Sequence, residues 1–423
     1  MSEKDFLGHR LMERRLEEEL PGEAELFDAL GGRELHLDEV LARAGGIRRT
    51  RRTARGLVAA AAVVALVAPA GVILAHRESA SGPGPLTHPT APASTSPTPT
   101  PTPTADPGSQ PAPGVLDVSH LPTGDAPRLD YLQDDLLHFA DGGTGAVGTR
   151  HTPQQFVEMN DGSRVWQTVD HGTPYVEIQD PDGYFHGAVP SGFGLAIDPS
   201  HTISAWLSPS GQVTVWEGRA TDPRPLGEPV PGSDLRLGPV IGNDCSLVCS
   251  VVVNVRDGDG QPWEVRDSGT QPQRDGGYLS ISDISEAGLS IGLTKVTDFS
   301  TCSKLLGGGE FVGFSTCRNQ LSSFSPDGRL ILALPSYFDG LGPGAIGMYD
   351  LGGKRLFERS STMDAQAWFT DAVWEDDTHV LAPVFQDGKW AVVRIASDGR
   401  MEYAVPPVPS ADELTSPFVL PVR

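Results

Sequence analysis

Short apolar runs separated by turns fill the chain after about residue 116. Apolar residues alternate with polar ones or run together in segments such as 164–169, 212–216, 330–334 and 389–395. Both patterns are typical of β-strands, the alternating one of a strand that is buried on a single face. No helical period of comparable length occurs after residue 120. The pattern therefore predicts an all-β domain over residues 116–423.

The turns between these runs have a recurrent sequence. Asp-Gly occurs ten times after residue 140, with Asp at 161, 182, 327, 387 and 398 among others. This pair favours tight hairpins, because both turn positions need a positive φ. A longer version, Ser-Pro-Ser-Gly at 208–211, is echoed by Ser-Pro-Asp-Gly at 325–328, with looser echoes at 387–390 and 397–401. A repeat of roughly 40 residues with several short strands is typical of a β-propeller.

The repeat divides the domain into blades. We place six of them at 153–187, 188–230, 233–276, 278–312, 314–364 and 366–408. A seventh would combine 129–150 with 413–423, since a propeller otherwise leaves an open edge strand at each end. Phe418, Val419 and Leu420 are expected to form its closing strand against residues 129–139. The predicted fold class is thus an all-β, seven-bladed propeller, with a pair of β-sandwiches as the alternative.

These motifs resemble those of WD40-like and TolB-like β-propellers, over residues 129–423. More specifically, the chain resembles actinobacterial single-pass membrane proteins that carry such a propeller outside the membrane. The paired Gly-His and Trp-Asp signature of WD40 repeats is absent from these residues. The resemblance implies a propeller ectodomain attached to a membrane helix.

One stretch before this domain is apolar enough to cross a membrane. Residues 56–75 contain no charged side chain, and at helical rise they would span roughly 30 Å, the thickness of a hydrocarbon core. The 55 residues that precede it argue against a cleaved signal peptide. Six arginines flank its N-terminal side: Arg43, Arg48, Arg49, Arg51, Arg52 and Arg55. The positive-inside rule then places the N-terminus in the cytoplasm and residues 116–423 outside.

Two further segments complete the predicted organisation. Residues 1–55 form a cytoplasmic segment, in which apolar residues recur at helical spacing up to residue 42. Residues 1–42 are either a partly disordered tail or a docking segment for a cytoplasmic protein. Residues 76–115 form a linker, whose Thr-Pro alternation at 96–104 favours an extended polyproline spacer because proline lacks an amide donor.

The distribution of charge argues against one class of partner. The formal net charge is −23, of which residues 1–55 contribute about −1 (11 Lys and Arg against 12 Asp and Glu) and the remainder −22 (21 against 43). A domain this acidic is not suited to nucleic acid or to an anionic surface. The arginines at 43–55 are expected to set the topology and to contact lipid headgroups, so the membrane is a predicted partner and nucleic acid is not.

All four cysteines lie in the predicted ectodomain, at Cys245, Cys249, Cys302 and Cys317. They allow three pairings, and proximity in sequence favours Cys245 with Cys249 and Cys302 with Cys317. Disulfides would persist in an oxidising compartment outside the cytoplasm. No Cys-x-x-Cys motif occurs, which favours structural disulfides over redox chemistry.

Motifs for catalysis or metal binding are weak. Gly-x-Ser-x-Gly at 288–292 lacks the strand-to-helix context of a nucleophile elbow. His171, His186 and His201 recur every 15 residues, which is not a metal-ligand spacing. The acidic residues at 134–135, 257–260 and 375–377 are interpreted as turns or surface charge. We predict no catalytic residue, no metal site and no cofactor.

The sequence thus predicts a single-pass membrane protein with an extracytoplasmic propeller. Its predicted function is binding, in a sensing or scaffolding role, with a protein or cell-envelope ligand on one propeller face. The alternative is an extracytoplasmic hydrolase or lyase. Converging carboxylates or histidines in the central channel would favour the enzyme, whereas an uncharged or aromatic face would favour binding.

Overall fold

The computed structural model describes residues 111–423, apart from 219–221, 246–247, 256–260, 274–276, 298, 308–312 and 339–341. The apolar stretch 56–75, the six arginines before it and the segment 1–42 lie outside the described residues, so what we predict for them stays a prediction. Within the part that is described, no helix is long and apolar enough to cross a membrane. That part contains 29 short β-strands.

The first fifteen strands follow one another with short connections. Three come first: β1 (Tyr131–Gln133), β2 (Leu136–His138) and β3 (Thr144–Ala146). Four follow: β4 (Thr152–Glu158), β5 (Arg164–Asp170), β6 (Thr173–Gln179) and β7 (Phe185–Pro190). The next four are β8 (Leu195–Ile197), β9 (Ser204–Leu207), β10 (Val213–Trp216) and β11 (Arg224–Leu226). Then come β12 (Leu235–Asp244), β13 (Val248–Val255), β14 (Trp263–Arg266) and β15 (Gly269–Pro272).

The remaining strands continue the same pattern. The next four are β16 (Ser280–Ile284), β17 (Ser290–Thr297), β18 (Ser300–Leu306) and β19 (Ser315–Thr316). They are followed by β20 (Asn319–Phe324), β21 (Leu330–Pro335), β22 (Ala345–Asp350) and β23 (Arg355–Ser360). The last six are β24 (Trp368–Phe369), β25 (Val373–Trp374), β26 (His379–Gln386), β27 (Lys389–Ala396), β28 (Met401–Pro409) and β29 (Phe418–Val419).

Hydrogen bonds join these strands into seven antiparallel sheets. The sheets are β4–β7, β8–β11, β12–β15, β16–β19, β20–β23, β24–β28, and β29 with β1–β3; we number them blades 1 to 7. The first strands contact one another around the ring, since β8 lies against β4 and β12, and β16 lies against β12 and β20. This arrangement is a seven-bladed β-propeller, as predicted, and not a pair of sandwiches.

The predicted blade limits agree with the sheets. The strands overrun them by at most three residues, except in blade 4. The fourth strand of that blade, β19, lies beyond the predicted end at residue 312 and pairs Thr316 with Ser303 of β18. Eight residues separate these two strands in the sequence, and no local pattern showed that β19 belongs to the same sheet.

The echoed turn motifs do not mark equivalent places in the blades. The motif at 208–211 joins the second and third strands of blade 2, whereas the motif at 325–328 joins the first and second strands of blade 5. The two turns therefore lie at opposite ends of the ring. Each ends in a glycine with positive φ, 81° at Gly211 and 69° at Gly328, which any tight hairpin needs. The motif encodes a turn, not a position in the repeat.

The chain end closes the ring, as predicted. β29 pairs with β1, with Leu132 opposite Val419 and Gln133 opposite Phe418. Phe418 and Leu420 are buried in one apolar cluster with Tyr131, and Val419 packs into another that contains Leu132. Leu420 lies just beyond β29, yet it is buried like its neighbour. Burial of each such side chain contributes roughly 1.5–3 kcal/mol.

An extended segment before β1 joins blades 5 and 6. Val115 forms a parallel bridge with Ser360 of β23, and Thr123 forms another with Tyr403 of β28. Between the two bridges, three side chains enter the apolar core that these blades share: Leu116, Val118 and Leu121. The segment is therefore part of the folded domain, and its first bridge lies at the last residue of β23.

Both predicted disulfides are present. Cys245 pairs with Cys249 across the turn between β12 and β13, and Cys302 of β18 pairs with Cys317 just before β20. No free cysteine occurs among the residues that the structure describes. The two bonds thus close local loops in blades 3 and 4.

Candidate functional site

The first strands enclose a cavity of about 880 Å³ on the propeller axis. Most of these strands are irregular beside it. Register shifts follow Pro153 in β4, Leu237 in β12, Ile281 in β16 and Leu321 in β20, and the first strand of blade 6 is split into β24 and β25. The residues at these irregularities line the cavity: Gln155, Gly238, Ser282, Ser322 and Asp371. β-Bulges bend a strand and change the direction of its side chains, which shapes the wall.

The polar side chain after a bulge makes a bond to the next blade in three places. The amide oxygen of Gln155 in blade 1 accepts the backbone N–H of Leu195 at 3.3 Å. Asp283 Oδ2 in blade 4 accepts the N–H of Phe324 at 2.7 Å. The hydroxyl of Ser323 in blade 5 accepts the indole N–H of Trp374 at 3.1 Å. These side chains join neighbouring first strands.

Two carboxylates in the cavity wall have raised pKa values. Burial raises the pKa of Asp283 to about 6, against the opposing effect of the N–H groups of Phe324 and Ile284. Burial also raises the pKa of Asp371, whose Oδ1 accepts the N–H of Ala372 at 2.8 Å. Asp371 lies in the break between β24 and β25, where its side chain is exposed to the cavity, and the residues packed around that cavity restrict its hydration. Each carboxyl therefore stays protonated to a higher pH than a free aspartic acid.

Two of the basic groups that line the same cavity have lowered pKa values. Burial lowers the pKa of His201, whose Nδ1–H donates to the carbonyl of Glu158 at 2.8 Å. Burial also lowers the pKa of Arg423, although the charges of Glu158 and Glu375 act in the opposite direction. His201 is thus mostly neutral near pH 7, and the guanidinium keeps its charge beside acidic neighbours.

The cavity groups are tied to the fold. Both oxygens of Asp283 accept backbone N–H groups, and His201 donates to a backbone carbonyl. Within the described residues, no three or more His, Cys, Asp or Glu side chains are grouped so that they could hold a metal ion. Asp371 Oδ2 has no hydrogen bond to another described residue, and the same holds for both carboxylate oxygens of Glu286, which also lines the cavity.

The other candidate motifs are structural where they are described. Ser290 of the Gly-x-Ser-x-Gly motif lies in β17, between two antiparallel strands, with its hydroxyl 3.1 Å from the hydroxyl of Tyr278. His171 and His186 are exposed. Asp134 and Asp135 lie in the turn between β1 and β2, whereas Glu375 is buried in an ion pair with Arg394, contrary to its prediction as surface charge. The acidic residues at 257–260 lie outside the described residues.

Exposed apolar side chains are concentrated at one end of the ring. This end carries the connections between second and third strands and those between successive blades, and we call it the aromatic face. Of eleven large apolar side chains exposed in the described part, nine lie in these connections or at the strand ends that enter them. They are Leu136, Val189, Phe193, Val296, Phe299, Tyr337, Phe338, Met363 and Leu414. The two others, Tyr184 and Leu356, lie at the opposite, hairpin end.

A groove of about 700 Å³ lies in the aromatic face between blades 5 and 6. Its wall contains four aromatic residues, Tyr337, Phe338, Trp368 and Phe385. Trp368 and Phe385 lie 5.7 Å apart between ring centroids, and Phe299 of blade 4 extends the row with its ring 6.3 Å from that of Tyr337. Aromatic pairs at such distances are favourable contacts that hold the wall in place.

The floor and rim of the groove differ from its wall. Small residues form the floor, and a Cβ on Gly342 would lie only 2.4 Å from the carbonyl oxygen of Phe369, so this position requires glycine. Three exposed carboxylates form the rim: Asp364, Asp387 and Glu413. None of the three forms a salt bridge with another described residue. The groove is therefore apolar inside and negatively charged at its edge.

Sequence reasoning predicted a binding face but named no residue in it. The groove is assembled from connections of two blades and from residue 413, which are far apart in sequence. One local signal was present, because Tyr337 and Phe338 are adjacent aromatic residues just after a strand, where turn residues are usual. Adjacent aromatic residues in a connection cannot both point into the core of a sheet.

The chain is a seven-bladed β-propeller. No protein-family model and no curated protein matches its sequence. Solved propeller structures are similar to it. YCF48 bound to a D1 peptide matches at 13% identity and a TM-score of 0.42, over 67% of this chain and 87% of that chain. TolB from Acinetobacter baumannii matches at 12% identity and 0.39, over 70% of this chain and 66% of that chain.

A peptidase also carries a similar propeller. Acylaminoacyl peptidase, solved with a chloromethyl ketone, matches at 13% identity and a TM-score of 0.41, over 60% of this chain and 45% of that chain. At such low identity these likenesses concern the fold alone. The function therefore has to be argued from the residues.

Proposed function

We propose that this chain is a membrane-anchored propeller that lies outside the cytoplasm and binds a protein partner through its aromatic face. Its role would be sensing or scaffolding, with residues 1–42 as the cytoplasmic docking end. One observation carries the proposal: among the described residues, nine of the eleven exposed large apolar side chains lie on one face of the ring. Exposed apolar side chains that are scattered singly over a surface need no explanation, whereas a concentrated patch of them marks an interaction surface.

The chemistry of the face supports a protein partner. Aromatic residues are enriched in protein interfaces, where they provide much of the binding energy. Phe299, Tyr337 and Phe338 leave 79%, 47% and 49% of their surface exposed, which is costly unless a partner covers them. In the part of the chain that the structure describes, the hairpin end carries two exposed side chains of this class, Tyr184 and Leu356.

Site-specific photo-crosslinking in intact cells tests the face. A benzophenone amino acid placed at position 338 is expected to give a discrete crosslinked product. The matched control places the same amino acid at position 184, which is 68% exposed at the hairpin end, and should give none. Equal products from both positions, or none from position 338 and from position 299, would contradict the proposal.

Topology has its own test. The six arginines between Arg43 and Arg55 support a cytoplasmic N-terminus. A reporter that is active only outside the cytoplasm should be active when fused after Gly114 and silent when fused after Ala42. The reverse pattern would contradict the proposed topology, and it would not bear on binding through the aromatic face.

A second candidate function is that of a hydrolase or lyase with its active site in the axial cavity. Asp371 favours it, because a carboxyl group with a raised pKa is suited to act as a general acid. Mixtures of peptides and of envelope polysaccharides incubated with the purified chain would reveal turnover by mass spectrometry. Activity that disappears in Asp371→Asn but persists in Asp377→Asn would establish catalysis in this cavity as a function of the chain.

A further inference from the structure

We infer that the groove between blades 5 and 6 binds an extended peptide segment in which lysine or arginine residues alternate with apolar ones. The inference rests on the proposed function, because it names the chemistry of the partner at one place on the aromatic face. Three observations carry it: the aromatic wall, the carboxylate rim and the shape of the groove.

The wall provides the apolar part of the recognition. Tyr337 and Phe338 are about half exposed, whereas Trp368 is 7% exposed and is fixed between Phe385 and Trp390. The groove thus has two rings that a ligand can cover and a rigid base beneath them. Rigid, partly exposed aromatic residues are typical binding hot spots, because little side-chain entropy is lost on binding.

The rim provides the charge preference. Asp364, Asp387 and Glu413 are exposed and form no salt bridge with another described residue, so their charges are not neutralised in the folded chain. A cation at this edge would face carboxylates on one side and the face of an aromatic ring on the other. Both contacts favour lysine and arginine, through charge and through cation–π attraction.

The same charges exclude other occupants. The sequence after residue 55 has a net charge of −22, which repels anionic headgroups, nucleic acids and acidic peptides. A volume of about 700 Å³ is that of a site for a few side chains, too small for the face of a folded domain. In an extended segment every second side chain lies on the same side, so a narrow groove can hold one row of side chains.

The test uses the purified full chain in detergent and three fluorescent peptides. The probe peptide is Leu-Lys-Leu-Arg-Leu-Lys-Leu-Gly, the second has glutamate in place of its basic residues, and the third has serine in place of its leucines. Fluorescence anisotropy measures binding at low and at moderate salt. We expect the basic apolar peptide to bind at least ten-fold more tightly than either of the others, and binding to weaken as salt is raised.

Variants locate the binding. Asp364→Asn combined with Glu413→Gln removes two rim charges and should weaken binding about five- to ten-fold, whereas Tyr337→Ala with Phe338→Ala should weaken it about thirty-fold. The control, Asp182→Asn with Asp377→Asn, removes the same charge from exposed turns at the hairpin end and should leave binding unchanged. All four side chains in the charge variants are exposed, so folding should be retained.

The outcomes separate this inference from the proposed function. Equal binding of the basic and acidic peptides, or equal loss in rim and control variants, would overturn the charge preference. If position 338 still crosslinks to a protein in cells, the binding face stands and only its assigned ligand chemistry fails. If neither peptide binding nor crosslinking depends on the aromatic residues, both proposals fail.

Discussion

Asp283 Oδ2 accepts the backbone N–H of Phe324 at 2.7 Å, and this bond joins the first strands of blades 4 and 5 beside the propeller axis. The bond exists because β16 has a bulge after Ile281, which turns the side chain of Asp283 toward the next blade. Gln155 and Ser323 follow bulges in their own first strands and bond to the next blade in the same way. The irregular strands around the cavity therefore contribute to the cohesion of the ring.

The first prediction concerns pH. The folded pKa of Asp283, about 6, lies above the unfolded value near 4, so the folded chain holds this proton more tightly. Between about pH 4 and pH 6 the folded state binds more protons than the unfolded state, and the free energy of unfolding falls as pH rises. The loss should be on the order of 2–3 kcal/mol, and it should be complete about one unit above the folded pKa, near pH 7.

Urea unfolding at a series of pH values, compared between the wild type and Asp283→Asn, measures this effect. Asparagine does not titrate, so the stability of the wild type relative to the variant should decline across this range. A constant difference from pH 4 to pH 7 would show that Asp283 is not the group responsible.

The second prediction concerns ring closure. Phe418 is 3% exposed and packs against Tyr131 and the core of blade 6, so Phe418→Ala should cost about 3–5 kcal/mol. Leu414→Ala, in the exposed connection just before β29, is the control and should change stability by less than about 0.5 kcal/mol. Thermal unfolding distinguishes them, and equal melting temperatures would mean that the ring does not depend on β29.

The third prediction concerns a buried ion pair in blade 6. Arg394 donates to both oxygens of Glu375, and its remaining N–H groups reach Glu402 and the carbonyls of Asp125 and Ala126. Glu375→Gln would leave a buried guanidinium without its main counter-charge, at a cost of about 3–5 kcal/mol.

An exposed ion pair in the same blade is the control. Asp398 and Arg400 are 55% and 76% exposed at the side chain, so Asp398→Asn should cost less than about 1 kcal/mol. Chemical denaturation of both variants gives the comparison. If Glu375→Gln lowered the free energy of unfolding no more than Asp398→Asn, the pair of Glu375 and Arg394 would not hold residues 125–126 to the blade.

The fourth prediction concerns the disulfides. In the chain-entropy treatment the 15-residue separation of Cys302 and Cys317 gives about 3 kcal/mol, and the four-residue separation of Cys245 and Cys249 about 2 kcal/mol. Alanine at both Cys302 and Cys317 should therefore lower the free energy of unfolding more than alanine at both Cys245 and Cys249. Non-reducing peptide mapping should recover both pairs from exported protein, and four free thiols would contradict the predicted compartment.

Local patterns in the sequence determined most of the architecture. The alternation in 164–169 and the Asp-Gly turns predicted strands and hairpins, because side-chain period and positive φ are properties of a few neighbouring residues. The closing strand at Phe418 was also predictable, since an apolar run in a polar region needs to be buried and the predicted ring left an open edge at residues 129–139. The disulfide pairs followed from short separations in sequence.

The functional surface was decided by tertiary structure alone. The bulge that turns Asp283 toward the next blade and the strand break that places Asp371 beside the cavity depend on how the first strands of the blades converge. The charge pattern around Glu375 gave no sign of its burial beside Arg394. The groove joins Tyr337, Trp368 and Glu413, whose proximity follows from packing blade 5 against blade 6. Burial, pKa and groove shape are properties of residues brought together across the ring, and periodicity along a chain carries no information on such distant neighbours.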